Sequence, residues 1–354
     1  MTTNIKTDLF GLFATEIAKQ IKPLGLQAYR GKQIAEWLYK HNVRQFEAMT
    51  NIAKEWRASL DNSFTITQVS RKATQHSADG RTSKFLLAFP DDMAVETVLM
   101  RHPYGNSVCV STQVGCAMGC SFCASTLSGL VRNLTGGEIL AQVLYITELL
   151  QQEEQKIDSI VIMGSGEPLA NYDNVLRFIR LVHEGYCLNM SYRNITLSTS
   201  GLVAQIDKLA GEGLPITLSI SLHAPNNLLR TKLMPINSRY PLEQVLAASD
   251  RYAAATGRRV TYEYILIAGV NDGPAQAREL ITLLKGRLAN VNLIPINAVP
   301  ERGLLRPAAS DIIRFEKLLQ NEHINVTVRR EMGTDIAAAC GQLRHKFVRM
   351  VTFD

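Results

Sequence analysis

Three of the chain's six cysteines lie within eight positions, in the stretch GCAMGCSFCAST at 115–126: Cys116, Cys120 and Cys123. Their spacing is C-x-x-x-C-x-x-C. In a chain of 354 residues such a cluster does not read as a secreted disulfide framework, which belongs to small chains; it reads as metal binding by thiolates. Structural zinc is usually held by two C-x-x-C pairs, and no second pair is present. Three thiolates suit an iron–sulfur cluster with one iron left open for a substrate or cofactor. A zinc ion that takes Cys109 as its fourth ligand is the alternative.

Other residue types with chemical potential are scattered along the chain. GSGEP (164–168) offers exposed backbone at Gly166 and a carboxylate at Glu167, both suited to an ammonium group. LSTSG (197–201) contains Ser198, SLHAPN (221–226) contains Ser221, Leu222 and His223, and PIN (295–297) ends on Asn297. Cys340 stands in ACGQL, far in sequence from the triad. Taken singly, each reads more plainly as a turn residue, a satisfied core histidine or a small buried hydrophobe.

Their placement on elements changes that. From about residue 107, short β-branched runs alternate with helical stretches. Strands are predicted at 107–112, 159–163, 194–198, 216–222, 260–267, 290–294 and 325–329, and helices at 136–152, 241–256 and 275–286. This alternation implies a parallel sheet and an α/β fold, a full or partial (β/α) TIM-like barrel. The cysteine cluster, GSGEP, LSTSG, SLHAPN and PIN then fall after strands, at the end where barrels carry chemistry. Residues 1–63 read as a small helical domain, with Ile17, Ile34, Trp37, Leu38, Ile52, Trp56 and Leu60 at helical spacing. Residues 64–100 read as a short antiparallel β linker region, 101–346 as the barrel core with a C-terminal cysteine loop, and 347–354 as a tail.

Lys and Arg outnumber Asp and Glu by 38 to 32, a net charge of +6 compatible with a polyanionic partner such as RNA. The first twenty residues hold no apolar run of signal-peptide length. Runs such as YILIAGV are too short to cross a bilayer, so a cytoplasmic protein without a membrane is expected.

The cysteine spacing, on the loop after the first barrel strand, resembles that of radical S-adenosylmethionine enzymes. In these, a [4Fe–4S] cluster on three cysteines binds S-adenosylmethionine at its open iron, and one electron yields a 5′-deoxyadenosyl radical. With RNLT, GSGEP, LSTSG, SLHAPNN, LMPIN, YILIAGVND, VNLIPIN and ACGQL, the chain resembles the RlmN/Cfr family of radical RNA methyltransferases over roughly residues 20–346. QVGC and NLIPINAVPERG are more similar to the branch that methylates adenine carbon-2, in 23S rRNA and next to the anticodon of some tRNAs. The other branch methylates carbon-8.

The resemblance implies roles residue by residue. Cys116, Cys120 and Cys123 would hold the cluster. Gly166, Glu167, Ser198, Ser221, Leu222, His223 and Asn297 would bind S-adenosylmethionine, two molecules of which are consumed per methylation. Cys340 would carry an S-methyl group, Glu96 in VETV would remove the ring proton, and Cys109 would release the RNA through a transient disulfide with Cys340. The helical domain would aid RNA recognition. The basic candidates are Arg30, Lys32, Arg132, Arg302, Arg329, Arg330, Arg344 and Lys346. A flavodoxin or ferredoxin would supply electrons to a monomer. Cys187 receives no role, and Ala337 stands where the family commonly has aspartate. A zinc-bearing RNA-binding protein is the rival from another class.

Overall fold

The amphipathic N-terminal stretches fold as their periodicity predicts. In the computed structural model of the chain, which describes residues 6–297, 302–329 and 336, strand β1 (Thr7–Asp8) precedes helices α1 (Ala14–Ile21), α2 (Tyr29–Tyr39) and α3 (Lys54–Ser63). Strand β2 (Phe64–Thr65) then returns beside β1 in parallel. Ile17, Ile21, Ile34, Leu38, Ile52 and Leu60 point inward and are essentially inaccessible to water. Each such aliphatic contributes about 1.5–3 kcal/mol.

Three antiparallel strands follow, β3 (Ser70–His76), β4 (Thr82–Ala88) and β5 (Ala94–His102), then β6 (Gly105–Cys109). Residues 77–81 connect β3 to β4. A small hairpin, β7 (Gln113–Gly115) and β8 (Leu130–Asn133), interrupts before helix α4 (Gly136–Gln151). The barrel units continue as β9 (Ser159–Ile162), α5 (Tyr172–His183), β10 (Ile195–Thr199), α6 (Val203–Gly211) and β11 (Thr217–Ser221). After them come α7 (Asn227–Leu233), α8 (Leu242–Thr256), β12 (Val260–Leu266), α9 (Pro274–Leu284), β13 (Ala289–Pro295), α10 (Ala309–Asn321) and β14 (Val326–Val328).

One ten-stranded sheet takes the order β14-β13-β12-β11-β10-β9-β6-β5-β4-β3. Strands β6 and β9 to β14 are parallel; β5, β4 and β3 extend the sheet antiparallel from β6. The antiparallel region is therefore continuous with the barrel sheet. Among the described residues β3 and β14 are edges, so the barrel is partial.

The two faces differ in chemistry. Val108, Ile160, Leu197, Leu218 and Val291 are fully buried and share one apolar core with residues of the helices. Because side chains alternate along a strand, Cys109, Val161, Thr196, Ser198, Ser219, Glu263 and Asn292 lie on the opposite face. Cross-strand register joins them, with Cys109 beside Val161, Val161 beside Thr196, Ser198 beside Ser219 and Glu263 beside Asn292. That face is mostly polar and half-buried.

Candidate active site

The β7–β8 hairpin pinches the cysteine loop at its base. Gly115 has φ +78°, and a Cβ there would lie 1.9 Å from the Gly129 carbonyl oxygen, so only glycine fits. The Cys116 amide donates to that same carbonyl at 3.0 Å. Inside the loop, the Thr126 hydroxyl donates to the Cys120 carbonyl (3.2 Å) and the Cys123 carbonyl (2.9 Å). The Ser121 amide donates to Leu233 at the end of α7.

Burial pushes the Cys116 thiol up to about 11 and raises Cys120 and Cys123 as well. The Cys120 thiol is also raised by charge on Cys123 and Cys116. Thiolates at the buried Cys116 and Cys120 and the half-buried Cys123 are costly unless a strongly cationic group joins them. Among the described residues no three His, Cys, Asp or Glu side chains converge as one metal ion requires. Three cysteines on one loop suit a cluster that takes three thiolates and leaves one iron open.

The following loops crowd around this one. Gly166 has φ +107°, and a Cβ there would stand 2.6 Å from that of Gln113. Gln113 accepts from the Glu167 amide at 2.8 Å and so ties the glycine-rich loop to the cysteine loop. The buried Glu167 carboxylate accepts from the Leu169 amide (3.0 Å), the Thr199 hydroxyl (2.7 Å) and the Ser200 amide (2.7 Å). Burial raises its pKa while these donors pull it back. Its side chain thus braces the end of β10, and the backbone of 164–166 faces the loop cluster.

Arg230 on α7 has no exposed surface. Its guanidinium donates to the carbonyls of Ser200 (2.8 Å), Ser221 (3.1 Å) and Leu222 (3.2 Å) and to Asn237 Oδ1 (2.9 Å). Burial lowers its pKa to about 10, opposed by Cys120, so it stays cationic beside the cysteines. His223 follows β11 with φ +58°. Its Nδ1 accepts from the Ile265 amide at 3.0 Å, and its ring packs edge-on against Phe122 of the cysteine loop. Burial, helped by Arg230, pushes His223 down to about 3. A neutral imidazole that accepts at Nδ1 carries its proton on Nε2. Leu222 is buried, and its amide donates to the Glu263 carbonyl, while Asn297 is exposed after β13.

A second group lies on the polar sheet face. Val98 of β5 sits directly opposite Cys109, and Lys84 of β4 opposite Val98. Glu96, two residues from Val98, therefore shares the face of Cys109 and Lys84. Lys84 Nζ stands 3.5 Å from Glu96 Oε1, with both side chains buried. Lys84, Arg230 and Gln113 were missed from sequence. An isolated Lys, Arg or Gln carries no motif, and only the strand register or the loop packing gives it a place. Among the described residues Cys116, Cys120, Cys123 and Cys187 are free thiols, and Cys109 lies half-buried at the end of β6. Cys340, Ala337, Arg330, Arg344 and Lys346 lie outside the described residues.

Comparison with known proteins settles what this arrangement belongs to. The family described as Radical SAM superfamily matches residues 110–281, and that described as Ribosomal RNA large subunit methyltransferase N-terminal domain matches residues 7–66. A "Probable dual-specificity RNA methyltransferase RlmN" of Desulforamulus reducens is 51% identical over 344 residues, covering 97% of each chain. That of Bacillus thuringiensis subsp. konkukian is 50% identical over 341 residues, covering 96% of this chain and 94% of its own. The chain belongs to the RlmN family of radical S-adenosylmethionine RNA methyltransferases. The crystal structure of a radical SAM methyltransferase from Sphaerobacter thermophilus agrees in fold, with a TM-score of 0.91, 45% identity and coverage of 95% and 98% of the two chains.

As an RlmN-family member the chain is an enzyme that methylates RNA, and the family implies a [4Fe–4S] cluster and S-adenosylmethionine. Several basic residues expected to meet RNA have other duties. Arg132 is held by Asp91 (2.7 Å) and Glu138 (2.8 Å) and lies over the Phe89 ring. Arg302 reaches Thr126 of the cysteine loop at 3.4 Å, and Arg30 donates to Gln33 and the Asn51 carbonyl. Lys32 and Arg329 are exposed. Among the described residues no helix is long and apolar enough to cross a membrane.

Proposed function

We propose that this enzyme methylates carbon-2 of adenosine in the peptidyl-transferase region of 23S rRNA and 3′ of the anticodon in some tRNAs, by way of an S-methyl group on Cys340. The relatives' shared name, dual-specificity RNA methyltransferase, supports the two substrates. Cys116, Cys120 and Cys123 hold the cluster. The 164–166 backbone, Ser198, the 221–223 strand end with the His223 Nε2–H, and Asn297 hold S-adenosylmethionine. When bound, the two supply the radical that activates the S-methyl group. The protein works in the cytoplasm as a monomer, with a flavodoxin or ferredoxin as electron source.

The chain's own residues perform the rest. Carbon-2 of adenine is electron-poor and has no lone pair for direct methyl transfer. The carbon is instead delivered from Cys340, whose thiolate takes the methyl group first. The resulting link between Cys340 and the RNA has to be broken. The Glu96 carboxylate accepts the ring proton. The Cys109 thiolate then attacks Cys340 sulfur; the sulfur–carbon electron pair leaves with the transferred carbon, which takes up a proton to complete the methyl group, and the disulfide left behind is reduced by an external thiol. The observation that carries this reading is the common sheet face of Glu96 and Cys109 on neighbouring strands, Cys109 lying opposite Val98, two residues from Glu96. Reacting bases must be unstacked, so single-stranded or extruded adenosine is the substrate form.

The test is an anaerobic reaction of the cluster-loaded enzyme with unmodified 23S rRNA fragment or tRNA, followed by digestion and mass spectrometry. We expect 2-methyladenosine from both RNAs. A product that is only 8-methyladenosine would move the reaction to the other branch of the family and overturn the position assigned here.

A further inference from the structure

Lys84 is a buried ion with no part in the scheme above. It is 1% exposed, on a strand between β3 and β5, and its ammonium lies 3.5 Å from Glu96 Oε1. Lysine is almost never this deeply buried unless paired. Holding the strands together does not explain it, because β4 and β5 are already joined by an unbroken register from Thr82–Met100 to Ala88–Ala94. An apolar pair would serve that purpose as well or better, since two buried charges recover their desolvation cost only with good geometry. The pair also sits next to Val98, the residue facing Cys109, on the one polar face of the sheet.

We propose that Lys84 is a positioning residue for Glu96. Its ammonium, 3.5 Å from Glu96 Oε1, holds the buried carboxylate on the face it shares with Cys109, so that Glu96 can take the ring proton when the Cys340–RNA link is resolved. This rests on the role of Glu96 given above. In that step the carboxylate gains the proton, the carbon–hydrogen electron pair returns to the ring, and Lys84 remains an ammonium ion. Without the lysine the carboxylate loses a buried ion-pair partner that holds it in place on this face.

Single-turnover reactions of the full-length, cluster-loaded protein with a 23S rRNA fragment separate formation of the covalent protein–RNA species from its release. Denaturing gels follow both. Lys84→Met is expected to form the adduct at a rate within a few-fold of the natural protein but to release it roughly 10²-fold more slowly, the scale of a lost acid–base function. Lys84→Arg should recover much of the release rate, because it keeps the charge. Glu96→Gln should also trap the adduct, and adding Lys84→Met to it should slow release no further. Where Lys84→Met does not fold, Lys84→Gln is read by the same criterion. Normal release by a folded, charge-less variant overturns the proposal, as does equal loss of formation and release, which marks a structural lysine. If Glu96→Gln releases RNA normally, the base assignment itself fails; if only the Lys84 variants do, Glu96 stands and the role of Lys84 falls.

Discussion

His223 shows how much one side chain's surroundings fix. Its backbone is left-handed, its Nδ1 is taken by the Ile265 amide, and Phe122 packs against its ring. Its pKa falls from 6.5 to about 3 because charging it would bury a cation beside Arg230. In that window the unfolded chain binds the proton and the folded chain does not. His223 therefore stabilises the fold fully above pH 6.5, and the contribution is lost as pH falls toward 3. Denaturant midpoints measured from about pH 7 to about pH 5 should fall for the natural protein, and less steeply for His223→Asn, which tolerates the left-handed backbone and keeps an acceptor. Equal slopes would show that His223 titrates normally. Sequence placed this histidine after a strand. The donor that fixes its tautomer comes from the next strand over, which no local pattern reveals.

At the scale of elements, the strand–helix rhythm was legible because each barrel strand is a short β-branched run and each helix shows one apolar face. The predicted 159–163, 194–198 and 260–267 match β9, β10 and β12 to within a residue or so. The predicted strand at 107–112 ends early, at Cys109. Beyond it Ser111 turns to donate to the Glu96 carbonyl (2.7 Å) and Thr112 pairs with Ser165 (2.8 Å). The β7–β8 hairpin stayed hidden because three- and four-residue strands with a long loop between them are set by pairing rather than by pattern. What joins the strand ends is Arg230, whose guanidinium collects carbonyls from the ends of β10 and β11. Arg230→Met would leave those acceptors buried and unpaired, and should cost about 3–5 kcal/mol in chemical denaturation, with cluster loading falling alongside. A loss below about 1 kcal/mol would show that the carbonyls find other donors.

For the whole molecule, charge decides how RNA arrives. The net charge of +6 is the excess of 38 Lys and Arg over 32 Asp and Glu, and some of those cations are already held by carboxylates. Arg132, Arg177 and Arg251 are engaged in ion pairs with Asp91, Glu16 and Asp207. Affinity for a 23S rRNA fragment should still fall roughly tenfold or more between about 0.05 and 0.2 M salt, with a log–log slope that counts the phosphates neutralised. Lys32→Gln should make that slope shallower by about one unit if the helical domain meets phosphate, and leave it unchanged if it does not.

The central claim is that one face of the sheet resolves a covalent enzyme–RNA intermediate carried by Cys340. The direct measurement is single turnover by the cluster-loaded Cys109→Ala variant, with protease and nuclease digestion and mass spectrometry of the product. The account predicts a nucleotide joined through one carbon to the peptide that holds Cys340, accumulating because no thiol is present to free it. Free methylated RNA at the natural rate, or a nucleotide attached anywhere but Cys340, would contradict it.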